Sequence, residues 1–548
     1  MKFIRMIKDE FSGYSTKALA ADLLSGVTVA AVALPLALAF GVSSGADAAA
    51  GLITAIIAGL VISALSGGYY QISGPTGAMA AILMSVVASH SIQGVFIATF
   101  LAGILLVLCG LLKLGKLTSF IPMPVITGFT SGIAVIIAMG QIDNFFGVTS
   151  KGSTAVEKLM SYGTLGFSPD ITAVLIGLGV ILFMVFFPKK WNAVVPASLL
   201  SIVLATAVSI LFRLDVKTVG AIPTTLLPDN RLTFQSLNLE TIQSMISPAI
   251  SIAILGMIES LLCGASAGRM TGKRLDSDQE LLAQGIGNMV LPFFGGIPAT
   301  AAIARTSVAI KSGARTRLTG IFHALALLLF MLVLAPVMSQ IPLSALAGVL
   351  MVTAWRMNEW HAIRFMLKRK LVSSLVMFFA TMLATILFDL TIAILVGVGI
   401  SVVLLLGRLS KLEIRYAPID CERVAITDAV MRRHLEKAVA CYVNGPIMFA
   451  NAQTVESMAD KMAGYHTVYM SLRGVSDMDI SGAQAMTHLA ETLKARGTAL
   501  VLTGMQDRTR QMADRCGLTE AVGEQMIFHG MERAILGYHA PRQEAMDA

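Results

Sequence analysis

Gln71-Ile72-Ser73-Gly74-Pro75-Thr76-Gly77 and Gly295-Gly296-Ile297-Pro298-Ala299-Thr300 are both built to break a helix, and both lie in strongly apolar surroundings. Proline removes a backbone donor and clashes with the preceding turn, while glycine admits conformations that other residues avoid. Non-helical backbone at membrane depth persists only where it is buried in protein or lines a watery cavity. A pair of such breaks, one in each half of a membrane domain, points to a transporter's binding site.

The composition supports a membrane setting. The chain has 548 residues, 55% hydrophobic and 14% charged, with a mean hydropathy of +0.76. Soluble domains carry about 25% charged residues. The net charge of +8 is unevenly placed. Of 41 basic and 33 acidic residues, 16 and 17 lie from Arg408 onward, leaving 25 and 16 in the apolar part. Basic cytoplasmic loops account for that excess without nucleic acid. The five cysteines show no CxxC spacing and read as reduced, unpaired thiols. Met1–Lys17 reads as an amphipathic cytoplasmic arm rather than a cleaved signal.

Fourteen apolar segments are expected. The first seven are Asp22–Phe40, Ala48–Leu65, Thr76–Ala88, Gly94–Leu112, Pro122–Gln141, Ile171–Pro188 and Ala193–Phe212. The second seven are Ser247–Gly268, Leu281–Phe294, Ala299–Lys311, Leu318–Met338, Leu343–Ala354, Leu371–Phe388 and Thr391–Gly407. Four fall short of the roughly 20 residues of a full span. Half-helices or buried segments account for the shortfall; twelve spans is the alternative. With a cytoplasmic N-terminus, loops after even-numbered segments should be basic. Lys113/Lys116, Lys189/Lys190, Arg269/Lys273/Arg274, Arg315/Arg317, Arg364/Lys368/Arg369/Lys370 and Arg408/Lys411 meet that rule; only the uncharged Ser66–Gln71 loop departs from it. Seven segments per half make the second half enter from the opposite side, an inverted repeat. Pro75 lies 53 residues after Asp22, and Pro298 lies 51 after Ser247, so the breaks are pseudo-symmetric.

Each break precedes a short helical run, and in an inverted repeat the two runs point toward each other. A helix N-terminus carries roughly half a positive charge and unbonded amides, so two facing one cavity make an anion site. Ser73, Thr76 and Thr300 add hydroxyls; Gly74, Gly77, Gly295 and Gly296 allow close approach. Arg305, seven residues past Pro298, can attract an anion into the cavity. A structural carboxylate pair or snorkelling to the cytoplasmic side is the alternative. Glu259 sits in the most apolar part of the eighth segment, and three readings stand: trading a proton, holding Na⁺, or pairing with Arg305, with the first preferred. Asp22, Asp143 and Asp389 read as interfacial, and His90 and His323 receive no role.

After Gly407 the composition changes. Lys411–Glu436 reads as a charged linker. Val439–Phe449 reads as strand, turn and strand around Asn444-Gly445-Pro446, Thr467–Leu472 and Ala499–Thr503 as strands, and Ile480–Arg496 and Arg508–Cys516 as helices. The expectation is a small α/β domain. The domain bounds are an arm at 1–21, a transport domain at 22–407, a linker at 408–437, an α/β domain at 438–540 and a tail at 541–548.

These residues together resemble the SulP, or sulfate permease, family of anion transporters. The resemblance rests on Gly26–Ala39 around Pro35, Gln71–Thr76, Glu259-Ser260-Leu261-Leu262, and above all Gly295–Thr306 followed by Lys311-Ser312-Gly313-Ala314-Arg315-Thr316-Arg317. The tail resembles a STAS domain, with Asp479-Ile480-Ser481-Gly482 at its signature turn. The family implies an all-α polytopic membrane domain of fourteen segments. Segments one to four and eight to eleven form a moving core, and the rest a gate. The anion sits between segments three and ten, beside an unwound part of segment one. By motif match Pro35, Gln71, Ser73, Gly74, Thr76, Ala299, Thr300, Ala304 and Arg305 fall at or near that site, and Glu259 at the cation-coupling position. The sodium-coupled bicarbonate branch has an Asp followed four residues later by Thr; Glu259 and Cys263 stand here, which favours a proton over Na⁺. Homodimers are common in the family. Ser481 matches a serine that is phosphorylated in small soluble relatives of the tail. The strand Asp that accompanies it is replaced by Ser471-Leu472-Arg473, so a helix cap is the alternative.

The function expected is secondary transport of a small inorganic anion, with sulfate the first choice, in a cell (inner) membrane with both termini cytoplasmic. No cofactor, metal cluster or enzymatic chemistry is implied. An anion channel and a membrane-tethered regulator are the rivals. Saturable counterflow separates the first; uptake that survives removal of Lys411–Ala548 counts against the second.

Overall fold

The computed structural model describes the chain except for residues 1, 117–120, 152–154, 189–195, 223, 234–238, 389, 423, 425 and 545–548. Lys189, Lys190 and Asp389 therefore lie outside the described residues. The chain divides into two compact units, Met1–Gly399 and Ile400–Ala548.

The first unit is helical. An arm helix α1 (Lys2–Glu10) precedes α2 (Thr16–Ser43), α3 (Ala48–Leu65) and α4 (Gly77–Leu111). Polar residues set the starts: Ser15, Asp47 and Thr76 cap α2, α3 and α4 by accepting the amides of Ala18, Ala50 and Met79. The helix α4 contains the third and fourth expected segments, joined at a kink where Ser91 takes φ 61°. Next come α5 (Met123–Gly140), the short α6 (Ile142–Phe146) and α7 (Ala155–Leu165), α8 (Ile171–Phe186) and α9 (Ala197–Leu211). The second half has α10 (Leu239–Thr271), α11 (Ser277–Val290), α12 (Ile303–Lys311), α13 (Leu318–Met338), α14 (Leu343–Met357), α15 (Trp360–Lys368), α16 (Val372–Leu387) and α17 (Leu390–Leu409). Two short strands, β1 (Ser73–Gly74) and β2 (Thr300–Ala301), precede α4 and α12. Among the described residues, seven helices are long and apolar enough to cross a membrane, and α8, α9, α14 and α16 are shorter apolar helices. Each expected segment falls on a helix, the third and fourth sharing α4; α6, α7 and α15 are additions. The helix α2 runs unbroken through Pro35, so the unwound stretch implied by the family is absent there.

Two packing groups divide this unit. The helices α2, α3, α4 and α10–α13 pack chiefly among themselves, as do α5, α6, α8, α9 and α14. The helix α16 packs mainly on α5. In the first group α4 and α11 approach closely: a Cβ on Gly103 would lie 2.7 Å from the Gly285 carbonyl oxygen, and one on Gly285 equally near that of Gly103. Small residues at such crossings bring two backbones together.

The second unit carries a five-stranded sheet of β3 (Glu413–Ala417), β4 (Ala438–Asn444), β5 (Thr467–Gly474), β6 (Ala499–Thr503) and β7 (Ile527–Phe528), in that spatial order. The strand β3 is antiparallel to β4 and the other pairs are parallel. The stretch read as a linker thus supplies an edge strand, and also the helix α18 (Ala429–Leu435). The second strand expected before Phe449 does not form: after Gly445, at φ 110°, Ile447 makes only an isolated bridge to Met478. Two short helices follow, α19 (Ala452–Glu456) and α20 (Met458–Lys461). The helix α21 (Ile480–Ala495) is capped by Asp479, whose carboxylate accepts the amides of Gly482 and Phe449 at 2.7 and 2.9 Å. Ser481 is exposed in its first turn.

Candidate functional site

The two breaks meet. The strand β1 pairs antiparallel with β2, Ser73 opposite Ala301 and Gly74 opposite Thr300. The chain therefore enters α4 and α12 from opposed directions at one place. Their N-termini differ. Thr76 caps α4, whereas no side chain caps α12 after Ala302. The first-turn amides of α12 are thus open donors, and Ile303 and Ala304 at that turn are exposed.

Three polar side chains converge there. Thr76 and Thr300 donate their hydroxyls to one oxygen of Glu259, at 2.9 and 2.6 Å, and the two hydroxyls lie 3.4 Å apart. Arg305 is 2% exposed, and its guanidinium donates to the Pro75 carbonyl across the break. Among the described residues its Nη1 has no hydrogen-bond partner. A Cβ on Gly74 would collide with that nitrogen, so glycine is needed to seat the guanidinium. Arg305 neither snorkels outward nor hydrogen-bonds Glu259. It is a buried cation held at the seam of the breaks.

The other expected residues are spread around this seam. Ser73 is fully buried, and its oxygen accepts from Gln284 Nε2 at 2.9 Å. Gln71 is turned into the helix packing, donating to the Ser260 carbonyl at 2.8 Å. The backbone of Ala299 is clamped by Asn288, which accepts its N–H at 2.8 Å and donates to its carbonyl at 2.9 Å. That amide is therefore not available to an anion. Pro35 is buried in α2. Cys263 donates to Thr306 at 3.2 Å, and the same hydroxyl accepts the Ile72 amide at 3.0 Å.

Several polar groups were not assigned from sequence. Asp22, read as interfacial from its place at a span end, is fully buried within the protein and accepts from Tyr14 OH, the amides of Arg315 and Thr316, and the hydroxyls of Thr316 and Thr319. Arg317 pairs with Glu10 of the arm at 2.7 Å, both side chains being almost inaccessible. Burial also raises the Glu10 carboxyl above its ordinary value, against the lowering effect of Arg317. Glu280, Gln284 and Asn288 line one face of α11 at four-residue spacing, all buried. That polar stripe within an apolar segment was the available signal.

A polytopic helical domain with two opposed, paired breaks around a buried cation defines a membrane transport protein of the broken-helix class. The sulfate permease family profile matches residues 19–381, and the STAS domain profile residues 429–533. The chain belongs to the sulfate permease family, whose members are anion transporters. It is 36% identical to the Bacillus subtilis protein named "Putative sulfate transporter YvdB", over 94% of this chain and 97% of that one. The transmembrane domain of a cyanobacterial bicarbonate transporter, BicA, shares 32% identity and a TM-score of 0.64, covering 70% of this chain and 99% of that domain. The murine Slc26a9 anion transporter in the inward-facing state has the same overall fold, with a TM-score of 0.83 at 18% identity over 96% of this chain and 92% of that one.

Proposed function

We propose that the protein is a proton-coupled symporter of a small inorganic anion, sulfate first, which binds between the opposed starts of α4 and α12. The observation that carries this reading is the shared carboxylate: hydroxyls from both breaks donate to Glu259 beside the partly unpaired cation Arg305. An ionised carboxylate only accepts hydrogen bonds, so it occupies both hydroxyl protons. A proton on Glu259 frees Thr76 and Thr300 to donate to the anion and removes a like charge from its side. Proton and anion binding then favour each other. The open amides of α12 and the charge of Arg305 complete the donor set. Alternating access follows as movement of the α2–α4 and α10–α13 group against the other helices. A homodimer in the cell membrane, with both termini cytoplasmic, belongs to the same reading.

A sodium-coupled second reading is favoured by one observation. The oxygens of Glu259, Thr76 and Thr300 lie close enough to ligate one cation. Against it, Cys263 stands one turn past Glu259, where a hydroxyl would add a harder ligand. Uptake of labelled sulfate, bicarbonate, chloride, nitrate and dicarboxylates into proteoliposomes, under separate pH and sodium gradients, tests both. Acceleration by an inward proton gradient alone supports the first; acceleration by sodium alone overturns it in favour of the second.

A further inference from the structure

We infer that the helix α15 and the turn after it hold the headgroup of an anionic phospholipid at the membrane surface. The stretch from Arg356 to Lys370 carries five basic residues, Arg356, Arg364, Lys368, Arg369 and Lys370, against one carboxylate, Glu359. The four from Arg364 onward are exposed, and among the described residues none of the four makes an ion pair. Glu359 is already engaged, since it accepts the Thr127 hydroxyl of α5 at 2.9 Å. The described residues therefore leave the positive charge of this helix unbalanced.

Apolar side chains share the same surface. At about 100° per residue, Arg364 and Lys368 fall on one face of α15 and the buried Met366 on the opposite one. Phe365 and Leu367 flank the two cations and are 53% and 49% exposed. Trp355 is 65% exposed, and its ring lies 4.4 Å from that of Trp360, whose indole N–H donates to the Trp355 carbonyl at 2.9 Å. Two of the three tryptophans in the chain thus stand together at the start of this helix. Tryptophan gathers where a bilayer meets water. Leu371, Val372 and Val376 carry the exposed apolar surface on into α16. A soluble anion or a nucleic acid would use the cations and leave this apolar rim without a role. A phospholipid uses both: its phosphate meets the guanidinium and ammonium groups, and its acyl chains cover the rings and aliphatic side chains.

The site is tied to one group of helices. Glu359 joins the start of α15 to α5, and Arg356 Nη2 donates to the Met184 carbonyl of α8 at 2.9 Å. A lipid held by α15 is thus moored to the group that contains α5, α8 and α14, and not to the group that carries Arg305 and Glu259.

The test is quenching of tryptophan fluorescence by brominated lipid. Full-length protein carrying Trp191→Phe leaves Trp355 and Trp360 as the reporters. It is reconstituted in phosphatidylcholine vesicles containing either brominated phosphatidylglycerol or brominated phosphatidylcholine. The expected result is about a tenfold higher relative affinity for phosphatidylglycerol at low salt. That preference falls severalfold in Arg364→Gln or Lys368→Gln alone. It disappears when Arg364, Lys368, Arg369 and Lys370 are all changed to Gln. Equal quenching by the two lipids in the starting protein overturns the inference, as does a preference that survives the fourfold change. Loss of the preference on adding millimolar inorganic phosphate, at an ionic strength matched with chloride, also overturns it, because the site would then be one for a small soluble anion. If the fourfold variant does not reach the membrane, the single changes decide, and an unchanged preference in both contradicts the inference.

Discussion

Arg305 and Glu259 divide the work of the site between a fixed charge and a switchable one. Replacing Arg305 with Ala removes the cation while leaving the helix start open. Uptake is expected to fall at least tenfold, ~1.4 kcal/mol of lost anion stabilisation, read from KM in proteoliposomes. Glu259→Gln is expected to preserve downhill anion exchange but abolish its acceleration by an inward proton gradient. Gly74→Ala tests the seat of the guanidinium. Its Cβ would strike Arg305 Nη1, so uptake should drop about tenfold in a protein that still reaches the membrane. These residues were legible because a charge in an apolar run stands out, and because Gly, Pro and Thr clustered at symmetric places. Asp22 and Glu280 were not, since a carboxylate near a segment end looks solvated until the donors that fold onto it are known. The five donors on Asp22 come from the arm and from residues about 295 positions away.

At the scale of elements, the second break is held open by side chains of its neighbours. Asn288 clamps both polar groups of Ala299, and Thr54 accepts the Ile297 amide at 2.7 Å while its one hydroxyl proton lies between the carbonyls of Ala50, at 2.7 Å, and Ile297, at 3.1 Å. Buried backbone groups outside a helix need such partners. Asn288→Leu leaves the N–H and carbonyl of Ala299 unpaired. It is expected to destabilise the protein by about 1–3 kcal/mol per orphaned group, seen as a lower thermal unfolding temperature in detergent, with transport lost in parallel. The sequence located both breaks because proline and glycine act locally. It did not show that β1 and β2 pair, which is a contact across more than 220 residues. Nor did it show that α2 stays helical at Pro35, where tertiary packing overrides a local preference against helix. The edge strand β3 was masked by its charged residues, which an exposed edge tolerates.

For the whole molecule, the succession of apolar helices and the α/β unit after them were readable from hydropathy, because backbone satisfaction in lipid leaves little choice but helices. Which anion is carried was not, because selectivity depends on a few hydrogen bonds and the size of one gap. The account turns on where the anion sits. The most direct measurement is anomalous scattering from the protein saturated with selenate, or with bromide where uptake identifies a halide. The account predicts one strong peak within hydrogen-bond reach of Thr76, Thr300 and the first-turn amides of α12. A peak elsewhere, with none between the starts of α4 and α12, would contradict it.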